Sequence, residues 1–242
     1  MVRSKSHTER VLNIWAISLI IWSLYRAYFQ TTLNPLIDEF IAKPLVFLLP
    51  AYLFITRFEK KPFWHSVGFI KHGIGKEILY GLLVGSIFFA GGIIATGLKF
   101  NLQVFYESKF LIAALTAFAA AFTEEILSRG FVLKRLYDES KNMFTSSFLA
   151  SVLFFFLHVP ILFTSPNMTG TLLFKVLITD MILSLAVSFV FLARRENLIM
   201  PIIIHALYTL SLFLFIWLHR SRRFPACQSW FFLFLTGRYP IH

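Results

Sequence analysis

The chain has 242 residues, of which 57% are hydrophobic, 14% are charged and 30 are Phe, with a formal net charge of +11. A soluble domain carries about 25% charged residues, so this composition excludes an ordinary globular enzyme and points to a protein solvated by lipid. The single Cys227 excludes an internal disulfide and any multi-cysteine metal site.

A bilayer-spanning helix needs roughly 20 mostly apolar residues. Stretches near that length recur at about 11–29, 79–98, 110–128, 144–163, 175–193 and 198–218. A seventh, 36–57, is less clean, because Asp38, Glu39 and Lys43 lie in its first half. The apolar run Trp230–Leu235 is short for an eighth. The expected fold is all-α: a single polytopic membrane helix bundle with about seven to eight transmembrane helices. Residues 1–10 form a polar tail, residues 11–218 the membrane domain, and residues 219–242 a compositionally different tail with no assignable pattern. A basic start followed by an apolar stretch resembles a signal peptide, but no small-residue cleavage site ends it, so a retained first span is expected.

The net charge suggests nucleic acid only until its distribution is followed. With the N-terminus in the cytoplasm, Arg3, Lys5 and Arg10 lie inside. So do Arg57, Lys60, Lys61, Lys71 and Lys76, then Arg129, Lys134, Arg135 and Lys141, then Arg194 and Arg195. This is the positive-inside bias of a multi-pass protein, here expected in the plasma membrane with a cytoplasmic N-terminus. No nucleic-acid partner is needed to explain the charge. Arg220, Arg222 and Arg223 run against the bias. Between the second and third spans, Phe63, Trp64 and Phe69 are mixed with basic residues, as in a segment lying at the headgroup level or, less expected, a substrate-docking surface.

The fourth span is rich in Ala113, Ala114, Ala117, Ala119, Ala120 and Ala121. Small side chains let helices approach closely in lipid, which predicts a central position. This helix also carries Glu124, Glu125 and Arg129. Ionisable residues within spans are expensive and usually mark function. Glu125 and Arg129 are four apart and share a helix face, so they are expected to pair. Glu124, about 100° away, has no basic partner within the helix. An unpaired, partly desolvated carboxylate is a competent proton acceptor near neutral pH. His158 lies deep in the fifth span and His205 roughly 10 Å into the seventh. With Glu124 they could surround one water: Glu124 taking its proton, His158 orienting it, His205 stabilising negative charge.

In order along the chain, Glu124-Glu125-x-x-x-Arg129, Phe154-x-x-x-His158 and a His205-containing third motif resemble the CPBP intramembrane endopeptidases, the CAAX prenyl proteases and bacteriocin-processing enzymes also called the Abi family. The resemblance covers about 120–210 directly and makes the motif core of a protease-like domain of about 110–210. It implies that Glu124 is the general base, that Glu125 is clamped by Arg129, and that His158 positions the water. Its third motif is His-x-x-x-Asn, whose two polar residues hold the oxyanion. Here His205 matches, but Thr209 stands where Asn is expected. A threonine hydroxyl can donate one hydrogen bond with a shorter reach. The implied substrate is a membrane-associated or C-terminal peptide, lipidated in the best-known cases, and the implied partner surface is the bilayer.

Metal dependence stays open at this level. Glu124, His158 and His205 could supply the three protein ligands of a hydrolytic zinc site, whereas the helical HExxH signature is absent; a metal-free glutamate mechanism is the favoured expectation. Two other classes compete with the protease. One is a non-catalytic membrane interaction or immunity protein of the same family, suggested by Thr209. The other is a small transporter, against which the chain lacks paired, Gly/Pro-broken spans. Asp180, inside the sixth span, either hydrogen-bonds a neighbouring helix or lines the same cavity.

Overall fold

The computed structural model describes residues 6–29, 35–70, 73–96, 108–164 and 170–223. Their architecture is all-α. Helix α1 is His7–Tyr28 and α2 covers residues 35–58. A short α3, Phe63–Ser66, leads to α4, Ile74–Thr96. Helix α5 covers residues 108–140 and is followed by α6, Met143–Thr164, α7, Gly170–Ala193, and α8, Ile199–Arg223. Within these, His7–Tyr28, Asp38–Phe58, Ile74–Ile94, Phe110–Ser140 and Met143–Pro160 are long and apolar enough to cross a bilayer, and Leu177–Ala193 and Ile199–Leu214 are shorter apolar stretches. The seven expected spans therefore each correspond to a helix. The Trp230–Leu235 run lies outside the described residues, as does most of the 219–242 tail.

Helix α5 departs most from its expected bounds. Hydropathy ends near residue 128, yet the helix continues to Ser140. Charged residues such as Lys134 and Arg135 end an apolar run without ending a helix, because both are good helix formers. The stop comes at Lys141, whose φ of 54° puts it in the left-handed region. Helix α5 is also the bundle centre, with 61% of its span buried against 22–39% for the other four long spans. Buried Ala113, Ala117, Ala119, Ala120 and Ala121 allow that close approach.

Glycine does the same where α4 meets α8. Gly81 and Gly85 lie one turn apart on α4, and a methyl group built on Gly85 would come within 2.6 Å of Leu207 and 3.2 Å of the Ile204 backbone. A methyl on Gly92 would overlap Ser211. Missing side chains thus set the separation of these helices.

One end of the bundle is tied by ion pairs between distant segments. Arg135 donates to both oxygens of Glu59 at 2.8 Å and to Ser66 Oγ at 3.0 Å. His7 contacts Glu59 at 3.1 Å, and the Thr8 amide donates to Glu139 at 2.9 Å. Arg194 pairs with Glu77 at 2.6 Å, and Lys134 pairs with Glu196. Burial raises the Glu59 carboxyl, but the Arg135 hydrogen bonds and charge outweigh it and hold the group below the usual carboxylate range. The start of α1, the 57–77 connection, the end of α5 and the α7–α8 turn therefore share one face. These are the basic segments that the charge bias puts on one side. Because α8 leaves this face at Ile199, its last residues, Arg220 to Arg223, lie at the far end.

The α7–α8 turn is joined to the 57–77 connection through Gly68, whose carbonyl accepts from the Leu198 amide at 3.0 Å. Gly68 has φ +99°, and a methyl there would collide with the Glu196 carbonyl. Both the backbone conformation and the contact exclude a side chain. Gly68→Ala is expected to cost about 1–3 kcal/mol, read as a lower melting temperature of the detergent-purified protein. An unchanged melting temperature would show that the turn relaxes freely.

Candidate functional site

Two consecutive helical residues point about 100° apart, so Glu124 and Glu125 meet different neighbours. Glu125 is fully buried and ion-paired with Arg129 Nη1 at 2.7 Å. The guanidinium is held at both terminal nitrogens: Nη1 also donates to Ser128 Oγ at 2.9 Å, and Nη2 donates to the Ser184 carbonyl at 3.0 Å and Ser184 Oγ at 2.7 Å. Its plane sits over the Phe154 ring, 4.6 Å from the centroid. The pair thus joins α5 to α6 and α7. Here α5 winds more widely than an α-helix, over Ile126–Leu133, with the Lys134 amide bonded to the Arg129 carbonyl five residues back. Such π-type turns are frequent at functional sites.

His205, on α8, comes to the same carboxylate. Its Nδ1 is 2.7 Å from Glu125 Oε1, so Glu125 orients the imidazole and leaves Nε2 facing Glu124 Oε2 at 3.7 Å. His158, on α6, mirrors this. Its Nδ1 lies 3.1 Å from the Phe154 carbonyl, and its Nε2 is 3.7 Å from the same Glu124 oxygen. A carbonyl or carboxylate can only accept, so Nδ1 carries the proton on each ring. In the neutral rings both Nε2 atoms are then acceptors aimed at a third acceptor, Glu124 Oε2. Three acceptors around one point suit a proton donor between them: a water can satisfy two, and protonating one ring converts the third into a donor.

Phe154 explains the spacing that precedes His158. Its carbonyl fixes that ring, its side chain lies 4.8 Å from His158 and edge-on to His205 at 5.7 Å, and its face receives Arg129. One aromatic side chain packs against both histidines and the clamp.

The expectation of an unpartnered Glu124 is corrected. Lys43, on α2, places its Nζ 2.8 Å from Glu124 Oε1 and 2.7 Å from Glu39 Oε2. The lysine is absent from α5, so no reading of that helix could supply it. The reason is tertiary: an in-helix search sees only partners three or four residues away, whereas this countercharge arrives on another span. The sequence signal was the Glu39–Lys43 pair, whose four-residue spacing gives it one helix face inside an apolar stretch.

Thr209 is half-buried one turn beyond His205. Among the described residues it makes no hydrogen bond to the glutamates or histidines. Its neighbour Tyr208 instead bonds Thr179 Oγ1 at 2.7 Å and contacts Asp180. Buried Asp180 is also within electrostatic reach of His158, His205 and Glu124, which puts it at the edge of this polar cluster as well as against α8. Among the described residues no three His, Cys, Asp or Glu side chains are arranged to hold a metal ion. The ligand set considered for zinc, Glu124, His158 and His205, already has a cation against one of its members, the Lys43 ammonium.

No curated protein and no solved structure matches this chain. The segment that carries Glu124, Glu125, Arg129, His158, His205 and Thr209 does have a counterpart, and it stops short of Glu39 and Lys43. Residues 106–211 match the family model of the type II CAAX prenyl endopeptidases, Rce1-like, and the resemblance carried by the three motifs is to that family.

Proposed function

We propose that this chain is an intramembrane endopeptidase that hydrolyses a peptide bond of a membrane-associated or C-terminal peptide, with Glu124 as the base that activates water. The observation that supports it most is the presentation of one Glu124 oxygen to two imidazole nitrogens, each 3.7 Å away, from three different helices. The match of residues 106–211 to a protease family model adds to it. In this reading a water held by Glu124 and His158 attacks the scissile carbonyl carbon while its proton passes to Glu124. His205, once protonated, donates from Nε2 to the developing oxyanion. Collapse of the tetrahedral intermediate breaks the C–N bond, and Glu124 returns the proton to the leaving amine. The reaction proceeds without metal. In this reading the N-terminus and the basic face lie on the cytoplasmic side of the plasma membrane, a sidedness that the positive-inside bias supports, and the substrate, lipidated or not, enters from the bilayer.

The test is cleavage of a peptide library by protein purified in detergent, with metal content measured and a chelator added, beside the Glu124→Gln variant. Cleavage by wild type alone, untouched by chelator, is the expected result; loss of cleavage on metal removal would overturn the metal-free step.

A second reading, a non-catalytic interaction protein of the same family, is favoured by Thr209 alone. It predicts that Glu124→Gln leaves biological activity intact. The departure also gives a direct test of the oxyanion assignment. Thr209→Asn should hold or raise kcat, since an amide reaches further than a hydroxyl and one oxyanion donor is typically worth on the order of 10²–10³ in turnover. A large loss would mean that position 209 does not face the oxyanion.

A further inference from the structure

Lys43 lies outside the segment matched by the family model, yet among the described residues it makes the closest ion pair to the Glu124 carboxylate. A lysine within a span is costly, and long lysine side chains normally escape by reaching for the interface. This one does not escape. Its side chain is 7% exposed, its ammonium is gripped by Glu39 and Glu124, and it lies 5.7 Å from the face of the Trp22 ring. The backbone is adapted beneath it, since residues Asp38–Ala42 form a π-type turn closed by the Lys43 amide on the Asp38 carbonyl.

The geometry divides Glu124 in two: Oε1 takes the ammonium and Oε2 faces the histidines. A carboxylate turns easily about its last torsion, and without a fixed partner either oxygen could face either way. An uncompensated Glu124 would also draw a protonated His158 or His205 into a direct charge-assisted bond, closing the gap that a water needs. The other charged groups near Glu124 are Arg26, Glu39, Arg129 and Asp180.

We propose that Lys43 is a positioning residue for the hydrolysis, holding Glu124 by one oxygen so that the other stays aimed between the imidazoles. It supplies, from within the fold, the positive charge that a metal ion would bring to such a site. The proposal rests on the protease reading above, and its experiment separates the two. Lys43→Met, which keeps the length of the chain and removes the charge, should lower kcat 10- to 100-fold with KM changed less than about twofold, as expected when orientation is lost and substrate binding is not. Lys43→Arg should recover at least a tenth of wild-type kcat. In parallel, Lys43→Met, Glu124→Gln and the double variant are melted in detergent. The double variant should melt no lower than the worse single variant, because each single change removes the same charge–charge interaction.

If Lys43→Met turns over like wild type while Glu124→Gln is dead, the positioning role is overturned and the protease reading stands. If Lys43→Met and Lys43→Arg lose activity only in proportion to folded protein, the lysine is structural and the proposal falls. Additive melting shifts would show that the pair does not exist in solution.

Discussion

Glu124→Gln is expected to lower peptide cleavage by at least 100-fold while the protein remains folded and membrane-inserted. General-base catalysis typically contributes 10²–10⁴-fold, and glutamine keeps the shape of the side chain but cannot take a proton. The fold should survive because the change does not strand its partner. Lys43 keeps Glu39 at 2.7 Å, and the glutamine oxygen can still accept from the ammonium. Cleavage and melting temperature measured on the same preparation separate the two effects. Unchanged turnover would sink the assignment of Glu124 as base, and a collapse of melting temperature would show instead that its charge serves the fold.

Arg129→Met is expected to do the opposite: to damage the fold first. Removing one member of a buried ion pair costs about 3–5 kcal/mol, because the other charge is left without compensation. Here the loss would strand Glu125, which is fully buried, with His205 as its remaining partner at 2.7 Å. The Ser184 carbonyl and hydroxyl would lose their donor, and the Phe154 face its cation. Since those contacts join α5 to α6 and α7, the expected result is a large fall in detergent-stable yield and melting temperature. Glu125→Gln should be milder, because the amide oxygen still accepts from Arg129 and from a protonated Nδ1. Wild-type melting of Arg129→Met would show that the cluster is held by packing alone.

The two predictions separate roles that the doubled glutamate motif presents side by side. Adjacent residues on a helix reach different faces, and these faces meet different things. Glu125 meets a clamp of α5, α7 and α8 groups and orients His205. Glu124 meets one lysine and two imidazoles.

How far this was legible depends on the range of each interaction. The seven apolar helices follow from hydropathy, since apolar length is a local property of the chain. The Glu125–Arg129 contact follows from four-residue helical spacing, which is equally local. The end of α5 was not legible, because a span ends where charge begins and a helix ends where the backbone turns, here at Lys141. His205 could be placed on the right helix, but not its bond to Glu125, which fixes which nitrogen faces Glu124. Asp180 could be noted as out of place in an apolar span, without a neighbour to give it meaning.

The sequence by itself determined that this is a membrane bundle, which helices compose it, and that glutamate and histidine side chains on three of them are the residues to watch. Only the tertiary structure decided what each of them touches. The difference is physical: insertion into lipid is settled span by span, by the cost of transferring each stretch, whereas the state of a buried carboxylate is settled by whatever charge the neighbouring helices bring to it. For Glu124 that charge is Lys43, a residue that α2 carries into the bundle and that helix α5 alone could not foretell.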